Sequence, residues 1–327
     1  EVSGYNMGDG VYRVDQSTDV PAGQGFVNSN KISCTTADTS QDANNQFYFQ
    51  TQLEGTATSL LNYFVASPDT VSIAFWVRSN RTGTHSLALK LSDNGSVENN
   101  TATRVYNKLY TISSANTWEK IVCAIPLDSS TSETKVTGTG FAVSVQFWMG
   151  AGTNRDGAAA ESWIDNGNST TASANEDMLA STSNDWYITG LQMEVGDFDA
   201  NSIPPFQHES YGDNLARCER YCQSTFSQGT AIGAATAVGI LIGNATATYG
   251  GAMAHGIMLR TVMRAVPTIV VHNQTGGTTG SARRGDSGAL VALASGNAST
   301  SSIHFENSVG IGDAIQLQWQ FSATAEL

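Results

Sequence analysis

The chain has 327 residues, 40% of them hydrophobic and 14% charged, with a net charge of −13. That length suggests two cores, because single cores stop growing at roughly 250–300 residues. The acidity argues against nucleic acid and anionic lipid as partners, since both call for a basic face. No stretch approaches the roughly 20 apolar residues that cross a bilayer, so no membrane insertion is expected.

In chain order, strand-like pieces at 11–14 and 31–34 flank a Pro/Gly turn at 19–25, and a strand follows at 47–54. Residues 59–66 read as a short helix or loop before Pro68. The clearest strand is 71–78, where Val71, Ile73, Phe75 and Val77 share one face at a period of two. Strands at 86–92, 104–112, 118–126 and 139–149 come next, the last with Phe141, Val143, Val145 and Phe147 alternating with small or polar residues. Residues 150–183 are long, polar and rich in Gly, Ala, Asn and Ser, with one aromatic island at Trp163-Ile164. A loop of that length inside a domain is functional or disordered. A strand at 186–195 closes the set. Many short strands without crossover helices exclude a parallel α/β fold and predict an all-β jelly-roll sandwich.

A helix is predicted over 213–226, with Asp213 as its cap and Leu215, Cys218, Tyr221 or Cys222, and Phe226 as its apolar stripe. Beyond Gly229 the composition turns to Ala, Gly, Thr and Val, with strands at 237–242, 254–263, 268–272, 289–294, 302–307 and 314–323. The expected domains are therefore a jelly roll at 1–205, a linker and helix at 206–228, and a small all-β sandwich at 229–327. The weakly charged faces of the last are expected to meet other copies of the chain. Cys34, Cys123, Cys218 and Cys222 form no Cys-x-x-Cys pair and read as buried thiols, with a Cys34–Cys123 bridge left open.

Few motifs carry chemistry. Gly285-Asp286-Ser287-Gly288 has the form of a serine-protease nucleophile motif, and Ala252-Met253-Ala254-His255 faintly matches the histidine motif of that family. Both lie in one small domain, however, and residues 262–284 contain no acid to complete a triad. A hairpin loop is expected there, including for the Arg284-Gly285-Asp286 tripeptide. The carboxylates Asp156, Glu161, Asp165, Glu176 and Asp177 could supply a glycosidase pair, but such pairs need a rigid platform and these read as solvated loop charge. Trp163 has two readings. Its face stacks on a sugar while Arg155, Asp156, Asp165 and Asn166 bond the hydroxyls, or it anchors the loop onto the sandwich. Trp76, Trp118, Trp148 and Trp186 lie in strands and read as core or sheet-surface residues.

Leu191-Gln192-Met193-Glu194-Val195-Gly196, Pro205-Phe206-Gln207-His208, Tyr211-Gly212 and Leu215-Ala216-Arg217-Cys218-Glu219-Arg220-Tyr221 together resemble a pattern of tail-fibre and other minor virion proteins of tailed bacteriophages. Stretches at 33–39, 72–84, 110–119 and 184–196 extend the likeness over residues 10–222. Cys222 departs from it, standing where an aromatic residue is expected. The resemblance implies a jelly roll similar to carbohydrate-binding modules, on a non-enzymatic fibre protein at the virion surface. Its implied partners are copies of itself in a homotrimer, other virion proteins, and a host-surface polysaccharide. No cofactor is expected, although the resemblance leaves room for a structural calcium ion with unplaced ligands. Two alternatives stand beside it: a capsid or tail decoration protein without a glycan ligand, and a glycan depolymerase.

Overall fold

The computed structural model describes residues 2–5, 9–95, 104–165, 171, 176–245, 253–276, 279–307 and 315–326. Strand accounts for 47% and helix for 4%, so the protein is all-β. It divides into two compact units, Glu1–Gln207 and His208–Glu326. The first carries ten Lys/Arg against 22 Asp/Glu, a net charge of −12; the second has six Arg, no Lys and seven acids, a net −1.

The strands of the first unit are β1 (Val2–Tyr5), β2 (Val11–Ser17), β3 (Ser29–Thr36), β4 (Gln46–Glu54), β5 (Thr70–Ser79), β6 (Gly83–Leu91), β7 (Arg104–Ile112), β8 (Glu119–Pro126), β9 (Phe141–Ala151), β10 (Trp163–Asp165) and β11 (Asp185–Val195). A six-stranded sheet runs β1-β4-β9-β6-β7-β10 and a five-stranded sheet β2-β3-β11-β5-β8. Within them β3-β11-β5-β8 faces β4-β9-β6-β7, the strand order of a jelly roll. The period-two pattern of β5 is the reason for the packing: Val71, Ile73, Phe75 and Val77 are all fully buried. Phe75 meets the Phe147 ring at 4.9 Å from the opposite sheet. Each such side chain contributes about 1.5–3 kcal/mol by burial.

Strand β9 departs from the half-buried pattern. Its inward Phe141, Val143, Val145 and Phe147 are buried, and so are Ser144, Gln146 and Trp148 on its other face. A second small cluster of Tyr48, Ala88, Val105 and Trp148 lies on that outer side. Residues 59–66 form turns rather than a helix, with Leu61, Tyr63 and Phe64 buried. Lys135 holds this turn by donating to the carbonyls of Ser59 and Leu61. The polar stretch at 150–183 is partly ordered: Gly150 and Ala151 finish β9, β10 pairs with β7, and a 3-10 turn at Met178–Ala180 buries Met178 and Leu179.

The second unit contains α1 (Tyr211–Glu219), β12 (Cys222–Ser224), β13 (Leu241–Ala245), β14 (Met253–Met258), β15 (Thr268–His272), β16 (Ser281–Arg284), β17 (Leu290–Ala292), β18 (Ala294–Ala298), β19 (Ser302–Asn307) and β20 (Ile315–Thr324). Strands β12, β13, β15 and β16 all pair with β20, and β14-β19-β18 form a second sheet. The core gathers around Trp319, Phe305, Phe321 and Leu317.

The helix is shorter than its apolar stripe predicts. Ser210, not Asp213, is the cap: its hydroxyl accepts from the Asp213 N–H at 3.2 Å and donates to the Asp213 carboxylate at 2.6 Å. The helix stops at Glu219 because residues 222–224 are recruited as a strand by Thr324, Ala323 and Ser322 of β20. None of its residues is buried. The cysteine expectation is corrected accordingly. Cys34 and Cys123 are buried free thiols, with burial pushing Cys123 up to about 12, but Cys218 is exposed and Cys222 half-buried.

Candidate functional site

The structure disperses the residues singled out in the polar stretch. Trp163 lies opposite Tyr106 on the edge strand β10, ring centroids 5.4 Å apart, and its indole N–H donates to the Pro126 carbonyl at 2.8 Å. It also packs against the main core, which makes it an anchor of the segment. Asp165 pairs with Arg104 at 2.7 Å, and Arg104 also holds the buried Asp128. Arg155 and Asp156 sit at the turn after β9, where Asp156 lines a recess of about 230 Å³ with Gln41, Gly150 and Asp177. Trp163 is three strand spacings and about five residues of β9 away from that recess, roughly 20 Å. Asn166 lies outside the described residues. A single sugar contact made by Trp163 and Asp156 together is therefore corrected, because strand spacing keeps them apart. Asp165, two residues from Trp163 on the same face of β10, stays beside it but is engaged by Arg104.

The other loop carboxylates are engaged. Glu161 pairs with Lys108 at 2.7 Å and Glu176 with Arg81 at 2.6 Å. Asp177 accepts from the Leu179 N–H at 2.8 Å, and burial raises its carboxyl above the ordinary range. Among the described residues, no group of three or more His, Cys, Asp or Glu is placed to hold a metal ion. Arg284-Gly285-Asp286 forms the hairpin between β16 and β17, where Arg284 grips Asp286 through two contacts of 3.0 and 2.7 Å and depresses its carboxyl.

The outer face of the six-stranded sheet is polar but closed. Gln50, Gln146, Ser144, Lys90 and Asn107 face outward there, and none is more than 4% exposed. Ser144 and Gln146 both donate to the Gln50 amide oxygen, at 3.2 and 3.1 Å. Ile164 and Ala151 pack over its aromatic end beside Tyr48 and Trp148.

An open crevice lies instead at one end of the sandwich, where β3 begins and Phe49 and Thr51 of β4 come opposite it. Its volume is about 370 Å³. Gln16 and Asn30 pair across β2 and β3 beside Ile188, while Phe49 and Thr51 face them from β4. Asn28, Thr189, Gly190 and Leu191 form the rim. The rim exists because β11 bulges between Thr189 and Gln192, with Gly190 at φ +62°. A side chain at Gly190 would strike the ring of Phe26. Thr189 donates to the Asn28 carbonyl at 3.0 Å and fixes the rim loop. The lining holds amides, hydroxyls and the half-buried ring of Phe49, with no charged side chain.

No family model matches the chain, and no curated protein sequence is similar to it. Solved structures are similar to it at low identity and low TM-score, three of them as follows. The enzymatically active domain of tailspike protein 4 from bacteriophage CBA120 is 13% identical at a TM-score of 0.32, over 60% of this chain. The match takes in only 19% of the tailspike chain. A family 11 carbohydrate-binding module from Clostridium thermocellum, solved with a mixed-linked β-1,3-1,4 tetrasaccharide, is 10% identical at a TM-score of 0.31, covering 60% of this chain and 88% of that one. A xylan-binding CBM22 domain from Paenibacillus barcinonensis is 10% identical at 0.29, covering 57% and 83%.

The crevice residues escape a reading of the sequence because each is an ordinary polar or strand residue with no motif around it. They come from positions as distant as Gln16 and Leu191. One local signal exists: glycine inside a strand, as at Gly190, marks a bulge or a close approach.

Proposed function

We propose that the protein is a non-enzymatic glycan-binding component of a virion appendage, and that its first unit seats a neutral sugar segment in the crevice between Phe49 and Thr189. The observation that carries this reading is the crevice chemistry. A cavity of about 370 Å³ lined by Gln16, Asn28, Asn30, Thr51 and Phe49, with no charge, sits on a unit of net charge −12. Amides both donate and accept, as sugar hydroxyls do, and a phenyl face takes the apolar C–H face of a sugar ring. An anionic ligand would find no countercharge there and would be repelled by the surrounding acids.

The likeness of residues 191–221 to tail-fibre proteins supports the virion placement and a host-surface polysaccharide as ligand. The second unit supports self-association into a fibre-like homotrimer or packing on other virion proteins. It is nearly neutral, and Val238, Ile242, Met258, Val262 and Val266 are more than half exposed.

Titration calorimetry of the full chain against neutral polysaccharides of the host envelope tests the reading. Asn30→Ala is expected to weaken binding at least tenfold with an unchanged melting temperature. Absence of binding to any of them overturns it in favour of a decoration protein without a glycan ligand.

A further inference from the structure

Resting on that reading, we infer that the ligand is an extended linear chain which leaves the crevice over Thr189 and stacks on Trp76, on the outer face of the five-stranded sheet. The argument begins with register. Ile188 pairs with Val77, and both are buried in the core. The next residues along, Thr189 and Trp76, therefore face outward. They are direct cross-strand partners, and Trp76 is in turn opposite Lys120 of β8. Thr189, Trp76 and Lys120 thus form one outward row across β11, β5 and β8, two strand spacings or roughly 10 Å long. Thr189 belongs to the crevice and to this row alike.

The row is equipped for a sugar chain. Trp76 is only half-buried, whereas Trp148, Trp186 and Trp319 are fully enclosed. Among the described residues, its indole N–H and the Lys120 ammonium have no hydrogen-bond or ion-pair partner. The other cations of this face are already engaged: Arg13 with Asp15 at 2.6 Å, Lys31 with Asp185 at 3.7 Å, and Arg78 with Asp19 at 3.4 Å. Trp118 is likewise engaged, its N–H on Asp19 at 2.8 Å. Trp76 therefore combines a half-exposed ring with free donors at its edge, the combination that orients a sugar ring by stacking and fixes its hydroxyls by hydrogen bonds. The rim between crevice and platform is itself aromatic, since Phe26 rests on Gly190 and meets Phe206 at 5.0 Å.

The test is an array of neutral envelope oligosaccharides in chain-length ladders, from disaccharide to octasaccharide, probed with the full chain. Wild type is expected to bind the long members at least tenfold tighter than the short ones, with ligand quenching tryptophan fluorescence. Trp76→Ala and Lys120→Met should flatten that length dependence while leaving the short members bound as before. Trp76→Phe should restore part of it. A length dependence unchanged in both variants, with the Asn30→Ala loss intact, overturns the platform and leaves the crevice standing. Loss of all binding in Asn30→Ala alongside the flattened ladders supports both. No binding of any ladder by wild type removes crevice and platform together.

Discussion

The indole of Trp163 is tied at both ends: its N–H reaches the Pro126 carbonyl at 2.8 Å while its ring rests on Tyr106 at 5.4 Å. The pair fastens the edge strand β10 to the end of β8, which lies in the opposite sheet. Trp163→Ala is expected to remove a half-buried ring and its hydrogen bond, costing about 2 kcal/mol. In a domain of this size that lowers the melting temperature by about 4–8 °C. Glycan affinity measured below the melt should stay within twofold of wild type. A tenfold loss of affinity without loss of stability would return Trp163 to the binding surface.

Arg104 makes two ion pairs whose environments differ. The Asp128 side chain is 4% exposed and that of Asp165 is 86% exposed. Removing the cation strands a buried carboxylate, so Arg104→Ala should destabilise by about 3 kcal/mol in urea unfolding. Asp165→Ala breaks only a solvated contact and should cost less than about 1 kcal/mol. Equal effects from the two changes would contradict this assignment of burial.

Much of this fold was legible in the chain. The alternation in β5 and β9 is driven by burial between two sheets, and it places Val71, Ile73, Phe75, Val77, Val143, Val145 and Phe147 inside. What local pattern does not contain is pairing between distant segments. Residues 222–224 satisfy a helical stripe by spacing, yet β20 captures them a hundred residues later. Ser144 and Gln146 are the polar alternates of β9, yet both are buried and donate to the Gln50 amide oxygen of β4. The crevice is of the same kind: Gln16, Thr51 and Thr189 acquire meaning only when β2, β4 and β11 are brought to one edge.

Gly190 links fold and crevice. It combines a positive φ of +62° with a position under the Phe26 ring. Gly190→Ala is expected to cost about 1–2 kcal/mol through backbone strain and to displace the ring. Because Gly190 lines the crevice, the same change should weaken oligosaccharide binding at least fivefold at temperatures where the protein remains folded. Chemical denaturation and calorimetry on one sample separate the two effects. Unaltered binding in a destabilised variant would remove the rim from the site.

His85 sets the acid limit of the first unit. It is fully buried in β6, its ring stacked on Tyr110 at 5.4 Å and 21°. Burial pulls its pKa down to about 4, with the Arg81 carbonyl and the Glu176 carboxylate opposing only in part. The folded state therefore prefers the neutral ring, whereas the unfolded chain protonates near 6.5. Stability is full above pH 6.5 and falls as the pH drops from there towards 4, by up to about 3 kcal/mol. Asp177, raised by burial, works the other way and stabilises the protonated fold as pH falls through the carboxylate range. Urea midpoints between pH 7 and 4 should decline for wild type and decline clearly less for His85→Gln. An identical slope in the two proteins would show that the histidine is not the group that titrates.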